Sequence, residues 1–220
     1  MGRPAVALLI AGRPGVGKTT LLKRLAALLG EQAGGFYTEE IREGRRRVGF
    51  RLVTLEGQSA VLAHVDWPGP PRVGRYGVDL RALEAVGVPA LQRALAARRL
   101  VIVDEIGKME LLSPAFRAAL EAIIGAGRPL LATVMLAPDP WVEALKRRPE
   151  VRVILLTEAN REAVLQEVIA WLKQWGIDQG APAVVPSVPR PRPPGPERNR
   201  PPAGSSPQRS APSPHGAPAD

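Results

Sequence analysis

Residues 12–19, Gly12-Arg13-Pro14-Gly15-Val16-Gly17-Lys18-Thr19, constrain this chain more than any other stretch, because they satisfy the G-x-x-x-x-G-K-[ST] pattern in full. Their surroundings agree. Ala5 to Ala11 is short and apolar, which predicts a buried strand, and Thr19 to Leu29 carries Leu21, Leu22, Leu25, Leu28 and Leu29 at helical spacing, closed by Gly30. Strand, glycine-rich turn and helix in that order bring unpaired amides and the positive end of a helix dipole to one point. Gly12, Gly15 and Gly17 let the backbone turn and approach oxygen atoms without a Cβ in the way. The pattern predicts a bound polyphosphate, with Lys18 reaching its β- and γ-phosphates and the Thr19 hydroxyl on Mg²⁺. A plain glycine-rich turn with a solvated Lys18 is the competing explanation, which the agreement of motif and context disfavours.

A second stretch fits the same chemistry. Leu100-Val101-Ile102-Val103 is a wholly apolar strand that ends in Asp104-Glu105, followed by Ile106-Gly107. Asp104 is expected to hold Mg²⁺, with water and nucleotide oxygens completing the shell beside Thr19. Glu105, one residue on, is placed to orient or deprotonate an attacking water; its alternative is a salt bridge or a helix cap. Asp104 to Gly107 also fits D-x-x-G, but no N-K-x-D segment follows, so selectivity for guanine is not supported. A cation on the departing γ-phosphate is wanted as well, and Lys108, Arg72, Arg75, Arg147 and Arg148 are the candidates.

The remaining pattern is that of an α/β protein. Gly35 to Ile41 and Val48 to Leu55 flank a polar Glu43-Gly44-Arg45-Arg46 turn, which predicts a β-hairpin, and Ser59 to His64 extends the meander. Asp66 to Gly77 is Pro- and Gly-rich and predicts a long loop near the ligand side. Asp79 caps a helix over Leu80 to Val86, Pro89 opens another through Arg98, and Ser113-Pro114 starts a third over Phe116 to Ile124. Leu130 to Val134 and Val151 to Leu156 read as strands around a helix near Pro140 to Arg147, and Asn160 to Trp175 as the last helix. Asn160-Arg161 could lie near a base, but a helix start is the better explanation of the pair. Apolar strands alternating with helices imply a mostly parallel sheet covered on both faces, with the hairpin as its antiparallel element.

Composition narrows the setting. The net charge is +9, but five arginines against Glu197 and Asp220 put +3 of it in the Pro-, Arg- and Ser-rich stretch after Gly180. That stretch has almost no large apolar residue and is expected to be a disordered tail, which places a domain over 1–178 and the tail over 179–220. The modest positive balance of the rest suits an anionic ligand without requiring nucleic acid. With no cysteine, disulfide scaffolds, zinc-thiolate sites and thiol catalysis are excluded. No apolar run is long enough to span a bilayer, so a cytoplasmic monomer is expected.

The segments GRPGVGKTTL, GFYTEEIREGRRRVGFRLVTLEG, VGRYGVDL, LVIVDEIGKMEL, PLLATV and LTEANRE resemble, in order, the P-loop nucleoside-triphosphatase family first described from thermophiles, which includes a cancer-related nucleoside-triphosphatase in animals. The likeness covers Ala5 to Leu172. It implies a RecA-like P-loop core and Mg²⁺-dependent hydrolysis of ATP, GTP, CTP and UTP to diphosphate and phosphate, with little choice of base. It also implies two nucleotide-binding stretches, Gly12 to Thr19 and Leu100 to Gly107, with Lys18 and Glu105 as catalytic groups and Thr19 and Asp104 at the metal. The tail has no counterpart in that pattern. Two alternatives stay open: a small nucleotide kinase of the same fold, and a nucleic-acid-binding protein switched by nucleotide. The second lacks an aromatic platform, with aromatics at 4%.

Overall fold

The computed structural model describes residues 4–178; the expected tail lies outside them. The strands are β1 (Ala7–Ala11), β2 (Ala33–Glu43), β3 (Arg46–Thr54), β4 (Ser59–His64), β5 (Arg72–Val73), β6 (Tyr76–Val78), β7 (Leu100–Ile106), β8 (Leu130–Val134) and β9 (Val151–Leu155). The α-helices are α1 (Lys18–Leu29), α2 (Leu80–Ala82), α3 (Val88–Ala97), α4 (Pro114–Gly125), α5 (Pro140–Lys146) and α6 (Arg161–Gln174).

All the strands join one sheet in the order β5-β6-β4-β3-β2-β7-β8-β1-β9. From β2 to β9 the neighbours run parallel, and from β2 to β5 they run antiparallel. The central parallel strands β1, β7 and β8 are buried on both faces, so they are mostly apolar, and successive residues serve opposite cores; the edge strand β9 carries Arg152 and is largely exposed. In β1, Leu8 and Ile10 pack with α1 and α6, whereas Ala7, Leu9 and Ala11 pack toward the α3 and α4 side. β7 and β8 divide likewise, Leu100, Ile102 and Leu131 to one core and Val101, Val103, Leu130 and Ala132 to the other. Because β8 lies between β1 and β7, a residue near its carboxyl end stands between the phosphate loop and the metal-strand acids.

Local chemistry explains most boundaries. The Asp79 carboxylate accepts from the Arg81 and Ala82 amides, the Ser113 hydroxyl from Phe116, and the Asp139 carboxylate from Trp141 and Val142. Two expectations need correction. The stretch 66–77 is not all loop: β5 and β6 pair through Gly74, at φ +57°, in strands too short to leave a periodic signal. The helix before Pro89 does not stop and restart. A π turn over Leu83–Gly87 carries α2 into α3, the Val88 amide donating to the Leu83 carbonyl. Pro89 brings no amide hydrogen, and the wide turn moves away the carbonyl its ring would strike in a regular helix.

Candidate functional site

The phosphate loop has the predicted shape. It leaves β1 at Ala11 and enters α1 at Lys18, with Gly15 at φ +79° and Gly17 at φ +102°. A Cβ on Gly12 would stand 2.8 Å from the Leu156 carbonyl oxygen, so only glycine fits where the loop passes β9. No side chain caps the amide end of α1, which leaves its first N–H groups facing the loop's hollow. The Lys18 ammonium rests on the Gly12 carbonyl at 2.9 Å and approaches that of Arg13 at 3.5 Å. Arg13 and Pro14 are exposed on the outside of the loop, and Val16 is buried beneath it.

Across the sheet, β7 runs further than the apolar run suggests. It continues through Asp104, Glu105 and Ile106, with Asp104 level with Tyr37 of β2 and a register shift against β8 between Val103 and Ile106. Leu100 to Val103 and Ile106 are packed into the cores, so of this stretch Asp104, Glu105 and Gly107 are the members that reach the cleft side. The Asp104 carboxyl is buried, Oδ1 accepts from the Thr133 hydroxyl at 2.5 Å, and Oδ2 has no hydrogen-bond partner among the described residues. Burial raises its pKa, and the Thr133 and Thr19 hydroxyls and the Lys18 and Lys23 ammoniums oppose that rise. A buried carboxylate oxygen left open is costly without a cation, and it lies within reach of Thr19 and Lys18. Asp104 with Thr19 therefore fits a Mg²⁺ ion bound to nucleotide. Among the described residues no group of three or more His, Cys, Asp or Glu side chains gathers, so nucleotide oxygens and water would complete the shell.

Glu105 is partly buried; desolvation raises its pKa, Lys18 lowers it and Asp104 adds to the rise. It lines a cleft of about 250 Å³ together with Thr38, Phe50, Lys108, Met109 and Glu110. Glu110 stands in the turn after β7 and is buried, and its carboxyl pKa is pushed up to about 8. Burial is the main cause, reinforced by the charges of Glu105 and Asp104 and opposed by the Glu110 and Gly107 amides. A neighbouring hollow of about 490 Å³ is walled by Gly15, Lys18, Thr19, Lys23, Thr38 and Glu39. There the Lys23 ammonium holds Glu39 at 2.6 Å and lies 4.1 Å from the Tyr37 ring centre. The bond from Lys23 is the main reason the Glu39 carboxyl stays below its usual range.

Of the candidate cations, Lys108 lies on the Glu105 cleft. Arg72 donates to the Trp67 and Arg75 carbonyls, and Arg75 to the Arg47 carbonyl and the Tyr76 hydroxyl, which ties both into the antiparallel lobe. Arg148 pairs with Glu121 and Glu150 where α5 turns into β9, and Arg147 precedes it there. That is the amino-terminal edge of the parallel strands, since the adjacent Glu150 carbonyl accepts from Val6 and Ala7. Neither can reach the phosphate loop. Sequence patterning did not single out Lys23, Thr133 or Glu110. Lys23 follows Thr19 by four residues, the spacing that stacks side chains on one helix face, and Thr133 is the lone hydroxyl in an apolar strand. Glu110 carries no local signal. Arg161 does open a helix, and its Nε also donates to the Val16 carbonyl at 2.9 Å.

With this geometry in hand, a family model described as NTPase matches residues 7–169. The chain belongs to that family. The match begins in β1 and ends within α6, so it encloses the loop, the acid pair and Arg161. Among its relatives, the nucleoside-triphosphatase THEP1 of Thermotoga maritima is 51% identical over 166 residues, covering 76% of this chain and 95% of the relative. The cancer-related nucleoside-triphosphatase of Homo sapiens is 38% identical over 176 residues, covering 73% and 93%. The crystal structure of THEP1 from Aquifex aeolicus superposes with a TM-score of 0.69 at 37% identity, covering 76% of this chain and 99% of that one. Like other members of the NTPase family, the chain is an α/β protein built on a phosphate loop. Among its described residues no helix is long and apolar enough to cross a membrane.

Proposed function

We propose that this chain hydrolyses ATP, GTP, CTP and UTP to the diphosphate and phosphate, with Mg²⁺ as cofactor and little choice among bases. One observation carries the proposal: Asp104 presents an unpartnered buried carboxylate oxygen within reach of Thr19 and Lys18, and Glu105 follows it directly. The names of the relatives support the same activity.

The loop amides of residues 12–19 bind the phosphates, and Lys18 exchanges the Gly12 carbonyl for phosphate oxygens. Thr19 and Asp104 would hold the ion, which when bound would neutralise charge on the phosphate oxygens. Glu105 orients a water on the γ-phosphorus and takes its proton as the new P–O bond forms. The bond to the β–γ bridging oxygen breaks, and the diphosphate leaves with that electron pair. Besides Lys18, the cations available to the separating γ-phosphate are Lys23, on the hollow beside the loop, and Lys108, on the Glu105 cleft. We assign this chemistry to a monomeric domain over 1–178, and take residues 179–220 as unnecessary for it.

The test is release of phosphate from each of the four triphosphates, with and without EDTA, and with a panel of nucleoside monophosphates present. Phosphate from all four, abolished by EDTA, is the expected result. Transfer to a monophosphate with no free phosphate would make the chain a kinase instead.

A further inference from the structure

On the side of the phosphate loop away from the acids lies a cleft of about 340 Å³, which shares Gly15, Gly17 and Thr20 with the hollow beside Lys18. A molecule bound over the loop would therefore extend from one into the other. The floor is apolar and buried, made by Leu21, Leu156 and Leu165, while Arg24 and Arg161 are exposed walls. Arg161 is not free to swing, because its Nε donates to the Val16 carbonyl at 2.9 Å and so sets the guanidinium against the phosphate loop. A planar cation over an apolar floor suits a flat aromatic ring.

The connection from β9 to α6 borders this cleft and carries backbone groups that can read a ring's edge. Two of those groups are already used by Asn160. The Thr157 amide donates to Asn160 Oδ1 at 2.7 Å, and Asn160 Nδ2 donates to the Leu155 carbonyl at 2.9 Å. Of the remaining polar side chains, Thr20 and Arg24 are exposed with no partner holding them among the described residues, and Glu162 is turned to Gln166 of its own helix at 2.9 Å, so these three offer little fixed donor and acceptor pattern. Faces can be held, but edges are told apart only weakly.

We infer that this cleft is the nucleobase site, that Arg161 stacks on the base above Leu156 and Leu165, and that Asn160 lowers selectivity by occupying the Thr157 amide and the Leu155 carbonyl. This rests on the hydrolase reading and supplies its physical reason for accepting several bases. Stacking scales with ring area, so purines should bind somewhat better than pyrimidines.

Steady-state kinetics of the full chain with the four Mg-nucleotides, on wild type, Arg161→Ala and Arg161→Lys, test the inference, with inorganic tripolyphosphate as a competitive inhibitor lacking a base. Lysine can still bond the Val16 carbonyl but has no planar face. In both variants KM for ATP and GTP should rise about tenfold and that for CTP and UTP less, bringing the purine-to-pyrimidine ratio toward unity. The inhibition constant of tripolyphosphate should move by less than about twofold. An unchanged ratio overturns the inference, and so does a tripolyphosphate constant that moves in step with KM, which would make Arg161 a brace for the loop. A wild-type chain that hydrolyses no triphosphate would overturn the hydrolase reading, which is a different failure.

Discussion

The Thr133 hydroxyl donates to Asp104 Oδ1 at 2.5 Å, and that one bond decides which carboxylate oxygen stays open. Thr133 is in the right place because β8 separates the loop strand from the acid strand. Thr133→Val keeps the shape and removes the donor, leaving both Asp104 oxygens unpartnered in a buried setting, a loss of about 1–3 kcal/mol. Asp104 should then hold its proton more readily and bind Mg²⁺ less well. The expected outcome is kcat down about tenfold and a higher Mg²⁺ concentration at half-maximal rate, read from a Mg²⁺ titration at saturating ATP. An unaltered Mg²⁺ dependence would show that Thr133 only fills space.

Lys18 and Glu105 should fail in different ways. Lys18→Ala removes the ammonium that exchanges the Gly12 carbonyl for phosphate, so kcat should fall about 10²- to 10³-fold and nucleotide affinity should weaken. Glu105→Gln keeps the size and loses the base. Nucleotide affinity by equilibrium binding should stay near wild type while kcat drops about 10²- to 10⁴-fold. Wild-type turnover in Glu105→Gln would remove that residue from the proton transfer.

The sequence made plain what is local. Gly12 to Thr19 and the helix behind them are contiguous, and the chemistry of such a turn is nearly independent of the rest of the fold. Asp104-Glu105 stood out because two acids ending an apolar strand are hard to explain by packing. Leu100 to Val103, grouped with them as nucleotide-binding, instead fill the two cores, since a strand's side chains point into its layers whatever its tip does. Thr133 and Glu110 were missed because their meaning lies in neighbours distant in the chain or buried by tertiary packing. Arg72 and Arg75 were plausible from position, yet carbonyls and Tyr76 take up their donors.

Glu110 makes stability depend on pH. Its pKa stands at about 8 in the folded chain against an ordinary 4.5, so in that window the native state holds a proton that the unfolded chain has lost. Stability from this group is whole below the ordinary value and falls as pH rises, by about 1.4 kcal/mol per unit at most, until the folded pKa is passed. Glu110→Gln carries no such proton. Denaturant unfolding from about pH 5 to about pH 8 should show wild type losing stability relative to the variant. Parallel curves would mean that Glu110 is ionised in the fold.

Gly35 shows how closely β2 and β7 approach below the acid pair. It pairs in register with Ile102 at φ +121°, and a Cβ built there would stand 2.1 Å from the Ile102 carbonyl oxygen. The obstacle is backbone, in the strand that presents Asp104 two residues later, so it cannot rotate away. Gly35→Ala should cost more than about 3 kcal/mol, through a collision added to an unfavourable φ. Gly44 offers the control. It also has positive φ, at +57°, but a Cβ there meets nothing within 4 Å, so Gly44→Ala should cost only about 1 kcal/mol of backbone strain. Urea midpoints of the two variants separate the contributions, and equal shifts would show that β7 yields to the added methyl.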